Sequence, residues 1–531
     1  MARSVLITDS LHSIAYDLLS ESGIKCVDGS SWSRDEILDR CSTFEGWIIR
    51  SGTSIGEEYL DRATSLKVIG RAGVGMDNVD LKAATKRGVL VLNAPAGNTI
   101  STAEHTMAML LGLARRIGPA SASLKEGRWE RKLFTGSELF GKTIGIIGIG
   151  KIGRTVAERC LAFGMTVVGF DPVLTQEAAE RIGIELADLE TLYERADFVS
   201  VHTPLIPATK DLLNRETLAK CKKGVGVINC ARGGIINEEA LLVGLESGHI
   251  GGAAMDVYTS EPPSHNLAAL LGHDRFLGTP HIAASTDEAQ EKVARQVTEQ
   301  VIRALRNEPV LTAVNTMAIR LAAQPEVRPY VVLADKLGLA ARQLFPGKVE
   351  RLVVRCHGDV PRKYKDVLQV IALKGFLSSS WGQPVNLINA QVVADEAGLV
   401  RDVETFRPES SFSNLVELHL EGADTSFSIT GTMFSEQDVR ITSVDGYEME
   451  LKAEGHLLLY RNQDRPGMLA RVGQALADEG INIGSLALGR KVPGTEALTA
   501  ISVDQPLTRE ILDKVSHIEG VRHVCMLEFM P

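Results

Sequence analysis

The chain has 531 residues. At roughly 150 residues per domain this implies about three to four domains, and a two-domain enzyme of about 300 residues would leave more than two hundred over. A composition of 44% apolar and 23% charged residues excludes a disordered or fibrous chain. With 57 basic against 67 acidic residues, the net charge of −10 opposes general binding to nucleic acid.

Seven cysteines, at 26, 41, 160, 221, 230, 356 and 525, include no CxxC pair. Neither a disulfide framework nor a metal site is expected, and a reducing compartment fits better. The apolar run in Met1–Thr8 is too short for a signal peptide, and no run of 18 uncharged apolar residues exists. No membrane association is expected. The expected address is the cytosol, with a processed organelle form left open.

The short apolar runs Val5–Ile7, Trp47–Ile49 and Leu66–Ile69 read as strands alternating with helices. Ser33-x-x-Glu36 predicts a capping box, in which the serine oxygen takes a free backbone N–H. This rhythm implies a parallel sheet under helices. Residues 101–116 predict a long helix opened by a second box, Ser101-x-x-Glu104, and ended by Gly118-Pro119. A second alternating block carries strands at 143–147, 166–170, 198–202, 225–229 and 253–257. Beyond about residue 315 the texture changes. Residues 320–345 are helix-like, and strands are expected at 351–355, 414–420 and 426–432. The last unit, from 455, reads strand, helix, strand, strand, helix, strand, the βαββαβ order of a ferredoxin-like fold.

The sharpest motif is Gly148-Ile149-Gly150-Lys151-Ile152-Gly153, set between a strand and a helix. Gly148 allows a tight turn, Gly150 lets backbone approach a pyrophosphate, and Gly153 lets helix and strand pack closely. The helix N-terminus offers free N–H groups and a positive dipole end to phosphates. Asp171 ends the second strand, where it can accept hydrogen bonds from ribose hydroxyls. An aspartate about 4 Å from a 2′-phosphate would cost about 4 kcal/mol per unit charge, so the motif favours NAD over NADP. Lys151 offsets part of that preference.

Arg232, Glu261 and His281 each follow a predicted strand, where ligands of open α/β sheets bind. Singly, they read more readily as a loop arginine, a turn acid and a structural histidine. Together they supply what hydride transfer at a 2-hydroxy acid needs. His281 can take the hydroxyl proton, Glu261 can fix its tautomer, and Arg232 can fork a substrate carboxylate.

These residues lie in segments that resemble the D-isomer-specific 2-hydroxyacid dehydrogenases: the glycine block, His202-Thr203-Pro204-Leu205, Asn229–Gly234, Asp256–Pro263 and Thr279–Ser285. The resemblance implies catalysis by Arg232, Glu261 and His281. It further implies cofactor contacts at Lys151, Ile152, Thr203, Pro204, Cys230, Ala231, Asp256 and Ala283. It also implies a fold that the pattern alone does not show. A flavodoxin-like, discontinuous substrate domain (1–97 with 286–314) would flank an NAD-binding Rossmann-type doubly wound domain (98–285).

The triad does not choose among hydroxy acids. A phosphorylated substrate needs extra cations, and Arg50, Arg71 and Arg131 are candidates, each otherwise a surface charge. Their segments, with Asn93–Asn98, resemble the branch of the family that acts on 3-phosphoglycerate. That implies Arg50, Arg71, Asn98 and Arg131 near the substrate, the last from a neighbouring subunit. Residues 315–452 resemble the α/β intervening domain of long-form members, and 455–531 an ACT domain, on Asp464-Arg465-Pro466-Gly467 and Ile481-Asn482-Ile483. ACT domains pair across subunits, so Asn462, Asp464 and Asn482 become effector candidates, with L-serine as ligand and a homotetramer as the expected assembly. Arg362-Lys363-Tyr364 and Lys374 read as an anion patch or as solvated charges. A hydroxypyruvate or glyoxylate reductase and a non-enzymatic NAD-sensing corepressor on the same fold stay open.

Overall fold

The computed structural model describes residues 3–345, 347–378, 385–407, 412–435 and 438–529. The chain forms two compact units: 1–10, 16–93 and 297–531 in one, 11–15 and 94–296 in the other.

The second unit is built on a seven-stranded parallel sheet. Across it the strands run Phe276–Gly278, Ile250–Met255, Val225–Asn229, Phe198–Val201, Thr143–Ile147, Thr166–Phe170 and Glu185–Leu186. The first strand in sequence, Thr143–Ile147, sits inside the sheet, and the chain winds outward on one side before returning to the other. Crossovers put helices on both faces, so the strands are buried apolar runs rather than alternating ones. Ile144 and Ile146 face Met107, Leu110, Val156 and Cys160 on one side. Ile147 joins Leu192, Leu218 and Leu241 on the other.

The long helix of this unit departs from expectation. It spans Thr99–Ala114, with Asn98 at its N-cap and no side-chain capping bond. Ser101 Oγ instead pairs with Thr286 Oγ1 at 2.9 Å. The Ser-x-x-Glu spacing cannot say which turn is the first, and here it falls inside the helix. Nor does Gly118-Pro119 terminate a helix. Arg116 breaks the chain at φ 52, and a new helix, Ile117–Lys125, begins. The proline sits in its first turn, where the missing N–H costs nothing.

The first unit starts with a five-stranded parallel sheet ordered Lys25–Asp28, Ser4–Ile7, Gly46–Ile49, Val68–Arg71, Leu90–Asn93. This is the flavodoxin-like order. The Ser33–Glu36 box forms as expected. Val297 and Val301, from the helix Asp287–Leu305, pack closely over Gly70, so this sheet is covered by a helix that arrives two hundred residues later.

Residues 351–452 form a mixed six-stranded sheet: Val400–Phe406, Arg351–His357, Leu415–Glu421, Ser426–Ser435, Asp438–Val444, Tyr447–Lys452. Only the first two strands pair in parallel. The final sheet is antiparallel, in the order Ile483–Arg490, Glu496–Val503, Gly455–Gln463, Val521–Phe529. Its two faces have different partners. Leu458, Tyr460, Ile501 and Val503 pack on its own helices, which carry Val472, Leu476, Ile511 and Val515. Leu457, Leu459, Leu498, Leu527 and Phe529 instead share a core with Leu333 and Leu337 of the helix Arg328–Leu344. The last unit therefore lacks a core closed on both faces by its own residues.

Candidate active site

All strands of the seven-stranded sheet point the same way, so their carboxyl ends share one edge. In sheet order that edge presents His281 after Phe276–Gly278, Glu261 after Ile250–Met255, and Arg232 after Val225–Asn229. Thr203 follows Phe198–Val201, the glycine block follows Thr143–Ile147, and Asp171 follows Thr166–Phe170. Candidate catalytic residues occupy one half of the edge, together with the cofactor candidates Cys230, Ala231, Asp256 and Ala283, and the remaining cofactor candidates occupy the other. The strand order reverses between Thr143–Ile147 and Phe198–Val201, the switch point where such sheets open a crevice.

Gly148 turns at φ 94, and a Cβ there would come within 2.8 Å of the His202 carbonyl oxygen. A Cβ on Gly153 would collide with the Gly148 carbonyl, while Gly150 faces open space. Gly150 thus leaves room above the N-terminus of the helix Lys151–Ala162, whose N-cap it occupies without a side-chain bond. The Thr203 hydroxyl is buried with no hydrogen-bond partner. An open cradle at a helix N-terminus beside an orphaned hydroxyl fits a pyrophosphate and its ribose.

Asp171 does more than the sequence implied. Its carboxylate accepts from the backbone N–H of Ile149 at 2.8 Å, Val173 at 2.9 Å and Leu174 at 3.1 Å. It clamps the glycine turn and still keeps an acceptor direction for a ribose hydroxyl. Burial works against its charge, but these amides outweigh it and hold the carboxyl below the usual range. His202 lies under the turn, its Nε2 2.9 Å from Ser200 Oγ. Burial pushes its pKa down to about 4, so it brings no charge beside the phosphates. Burial likewise pushes the Cys230 thiol up to about 12, so this cysteine packs rather than reacts.

His281 Nδ1 lies 2.6 Å from Glu261 Oε2. The bonded Nδ1 carries the proton, which leaves Nε2 to face a substrate. Glu261 is itself held, since its Oε1 accepts from the Tyr258 N–H at 3.2 Å. Arg232 sits in a turn fixed by the buried Asn229. That side chain donates to the Arg232 carbonyl at 2.8 Å and accepts from the Ala231 N–H at 2.9 Å. A Cβ on Gly233 would overlap the Tyr258 carbonyl, so glycine lets this turn approach the neighbouring one. The sequence reading passed over Asn229 as a positioning residue. A buried asparagine at the end of an apolar strand was the available signal.

In the first unit, Arg50 and Arg71 stand at the carboxyl ends of the adjacent strands Gly46–Ile49 and Val68–Arg71. The Arg50 backbone is pinned at both ends: its N–H donates to Asp9 at 2.6 Å and its carbonyl accepts from Asn78 at 2.6 Å. Asn98 heads its helix, its backbone carbonyl accepting from the Thr102 N–H at 2.9 Å and its side-chain amide oxygen buried without a partner. Arg131 follows no strand; it is exposed in the short turn Arg131–Phe134.

Residues 107–283 match the family model for the NAD binding domain of the D-isomer specific 2-hydroxyacid dehydrogenases. Residues 326–445 match the D-3-phosphoglycerate dehydrogenase intervening domain, and 456–519 the ACT domain. The chain is 40% identical to a D-3-phosphoglycerate dehydrogenase of Bacillus subtilis over 524 residues, covering 99% of each chain. The chain belongs to the D-3-phosphoglycerate dehydrogenase family. A Methanocaldococcus jannaschii relative of that name is also 40% identical, with 98% of this chain and 99% of the relative covered. Among solved structures, the TT0316 protein of Thermus thermophilus is 37% identical at TM-score 0.55, covering 59% of this chain and 99% of that one. An Aquifex aeolicus D-lactate dehydrogenase complexed with NAD and lactic acid is 26% identical at TM-score 0.53, with coverages of 58% and 96%. Its domains thus make this D-3-phosphoglycerate dehydrogenase family member an NAD-dependent oxidoreductase.

The ACT candidates are not gathered in one chain. Asn462 is buried: its carbonyl oxygen accepts from Thr499 Oγ1 at 2.9 Å and its amide donates to the Gln463 carbonyl at 2.8 Å. Asp464 accepts from the Gly494 N–H at 2.7 Å. Asn482 donates to Asp504 at 2.8 Å. Register places them far apart, because Asn462 pairs with Ala497, whereas Ile483, next to Asn482, pairs with Val503, the partner of His456. Six residues along a strand put the two ends about 20 Å apart. In this family member, then, a ligand touching all three would need a second copy. No described helix is long and apolar enough to cross a membrane.

Proposed function

We propose that the chain oxidises 3-phospho-D-glycerate to 3-phosphohydroxypyruvate with NAD, the first step of phosphorylated serine biosynthesis. The observation that carries this reading is the His281–Glu261 pair at 2.6 Å beside Arg232, at the ends of three adjacent strands. Arg232 forks the substrate carboxylate and orients C2. His281 Nε2 receives the C2 hydroxyl proton, and Glu261 stabilises the resulting imidazolium through Nδ1. The hydride leaving C2 goes to the nicotinamide ring, which is the chemistry NAD supplies when bound. Gly148, Gly150, Lys151, Ile152 and Gly153 hold the pyrophosphate, with Asp171 on the ribose. Thr203, Pro204, Cys230, Ala231, Asp256 and Ala283 line the rest of the cofactor path.

Arg50 and Arg71 meet the substrate phosphate with Asn98, and Arg131 reaches it from a neighbouring subunit. A homotetramer provides that neighbour. L-serine binds where ACT units of two copies pair, touching Asn462, Asp464 and Asn482. The support for this is the separation of those residues within one chain.

The deciding assay is NADH formation at 340 nm from 3-phosphoglycerate and NAD, with the product trapped by hydrazine. Absence of turnover would promote an NAD-sensing role. Arg71→Ala should lower kcat/KM for 3-phosphoglycerate about 30-fold, as about 2 kcal/mol of charge-assisted hydrogen bonding is lost. An unchanged value points instead to an unphosphorylated hydroxy acid. Initial rates unmoved by millimolar serine would reject the effector.

A further inference from the structure

His281 occupies the left-handed region at φ 53, a conformation that a non-glycine residue holds only when its surroundings impose it. One carboxylate grips the turn on both sides of it. Asp256, fully buried, accepts from Thr279 Oγ1 at 2.6 Å, two residues before His281. It also accepts from the N–H groups of Ile282 at 2.8 Å and Ala283 at 2.9 Å, just after it. Behind this clamp lies a residue that neither the sequence motifs nor the assigned roles include. His105, on the helix Thr99–Ala114, places Nε2 3.1 Å from Thr279 Oγ1 and 3.4 Å from Asp256 Oδ1.

The proton inventory orders this chain. Ionised Asp256 can only accept, so the single hydroxyl hydrogen of Thr279 goes to it. The Thr279 oxygen is then an acceptor toward His105, whose Nε2 must carry a hydrogen. The relay runs from His105 Nε2–H to Thr279 Oγ1–H to Asp256. Burial opposes the Asp256 charge, yet the bonds from His105, Thr279 and the two amides together keep its carboxyl below the usual range. Without the His105 donor, Thr279 can rotate and the buried carboxylate loses support on the side that precedes His281.

We propose that His105 is a positioning residue for hydride transfer: through Thr279 and Asp256 it holds the turn that aims His281 at Glu261 and the substrate. The assignment rests on His281 acting as the acid/base of the proposed reaction. His105 touches no reacting atom; it acts through the turn.

The test compares His105→Leu, which fills the space without a donor, with His105→Gln, whose amide nitrogen can stand where Nε2 stands. A misplacement of about 1 Å at the reacting groups can cost about a hundredfold. His105→Leu should lower kcat at least tenfold while KM for NAD stays within about twofold, and His105→Gln should recover most of the loss. A second readout needs no substrate. The downfield proton resonance of the His281 Nδ1–H···Glu261 bond, assigned by its loss in His281→Asn, should weaken in His105→Leu and return in His105→Gln. If the wild type does not oxidise 3-phosphoglycerate but the resonance follows this pattern, the substrate reading fails and the positioning role stands. If wild type turns over and both kcat and the resonance survive His105→Leu, the positioning role is wrong. Equal losses in the Leu and Gln variants, with weakened NAD binding in both, would also overturn it, since they mark general damage to the helix.

Discussion

The catalytic edge and the ACT sheet solve the same problem with opposite geometry. Parallel strands all end on one side, so His281, Glu261, Arg232, Thr203, Gly148 and Asp171 fall along a single edge, although they span more than a hundred residues of sequence. Antiparallel strands end alternately at opposite sides. In the last sheet Gly455–Gln463 and Ile483–Arg490 both oppose Glu496–Val503 and so share a direction; Asn462 and Asp464 close the first of them and Asn482 precedes the second, which puts them at opposite ends of the sheet. The parallel sheet gathers its strand-end residues at one edge of one chain, whereas the three ACT candidates lie at two opposite ends of theirs. The supporting bonds differ in the same way. Around His281 and Arg232, buried Asp256 and Asn229 fix the turns from beneath, while His281 pairs with Glu261 and Arg232 donates to the Ala231 carbonyl at 2.6 Å. In the ACT unit the candidates are themselves bonded locally.

The sharpest way to break this contrast is to remove the proposed acid/base. His281→Asn should reduce kcat/KM about a thousandfold with NAD binding retained, because general acid–base catalysis contributes about 10²–10⁴. A loss under tenfold would mean that proton transfer runs elsewhere on the edge.

A smaller effect sharpens the other half. Asp464→Ala and Asn482→Ala should each weaken inhibition by serine about tenfold, the worth of about one hydrogen bond. Co-expressing the two chains should recover part of the response, since mixed pairs rebuild one complete seam. If mixtures respond no better than either variant, the ligand does not span two copies.

The smallest effect is on acid stability. The Asp256 carboxyl is held below its ordinary 3.8 in the folded chain. Its contribution is therefore fully present above that pH and is lost as pH falls through the lower folded value. Thermal unfolding from pH 3 to 6 should show the wild type losing its advantage over Asp256→Asn on acidification. An advantage that grows toward pH 3 would reverse the sign and disprove the ionised clamp.

Most of the catalytic edge was legible from residues alone. Gly148, Gly150, Asp171, Arg232 and Glu261 follow strands recognisable from short apolar runs, Gly153 lies in the first turn of the helix Lys151–Ala162, and the three-residue strand Phe276–Gly278 before His281 is too short to read. The Ser33–Glu36 box formed where its pattern said, but the same pattern at Ser101 did not, because Asn98 already heads that helix. His105 gave no cue, since helical periodicity marks its neighbours Met107 and Leu110 as core and says nothing about a polar residue half a turn away. The hairpin Asp438–Val444 with Tyr447–Lys452 was also missed, although Tyr447–Lys452 alternates apolar and charged residues along its whole length.

By itself, the sequence determined most element types, the glycine turn and the candidates for the reacting side chains, since these rest on local spacing and residue chemistry. The tertiary structure alone decided what lies beneath them. Asp256 grips both sides of His281 through contacts up to 27 residues away. The ACT sheet buries one face on Leu333 and Leu337, more than a hundred residues upstream. Such contacts depend on where the packed elements bring distant residues together, which no local pattern encodes.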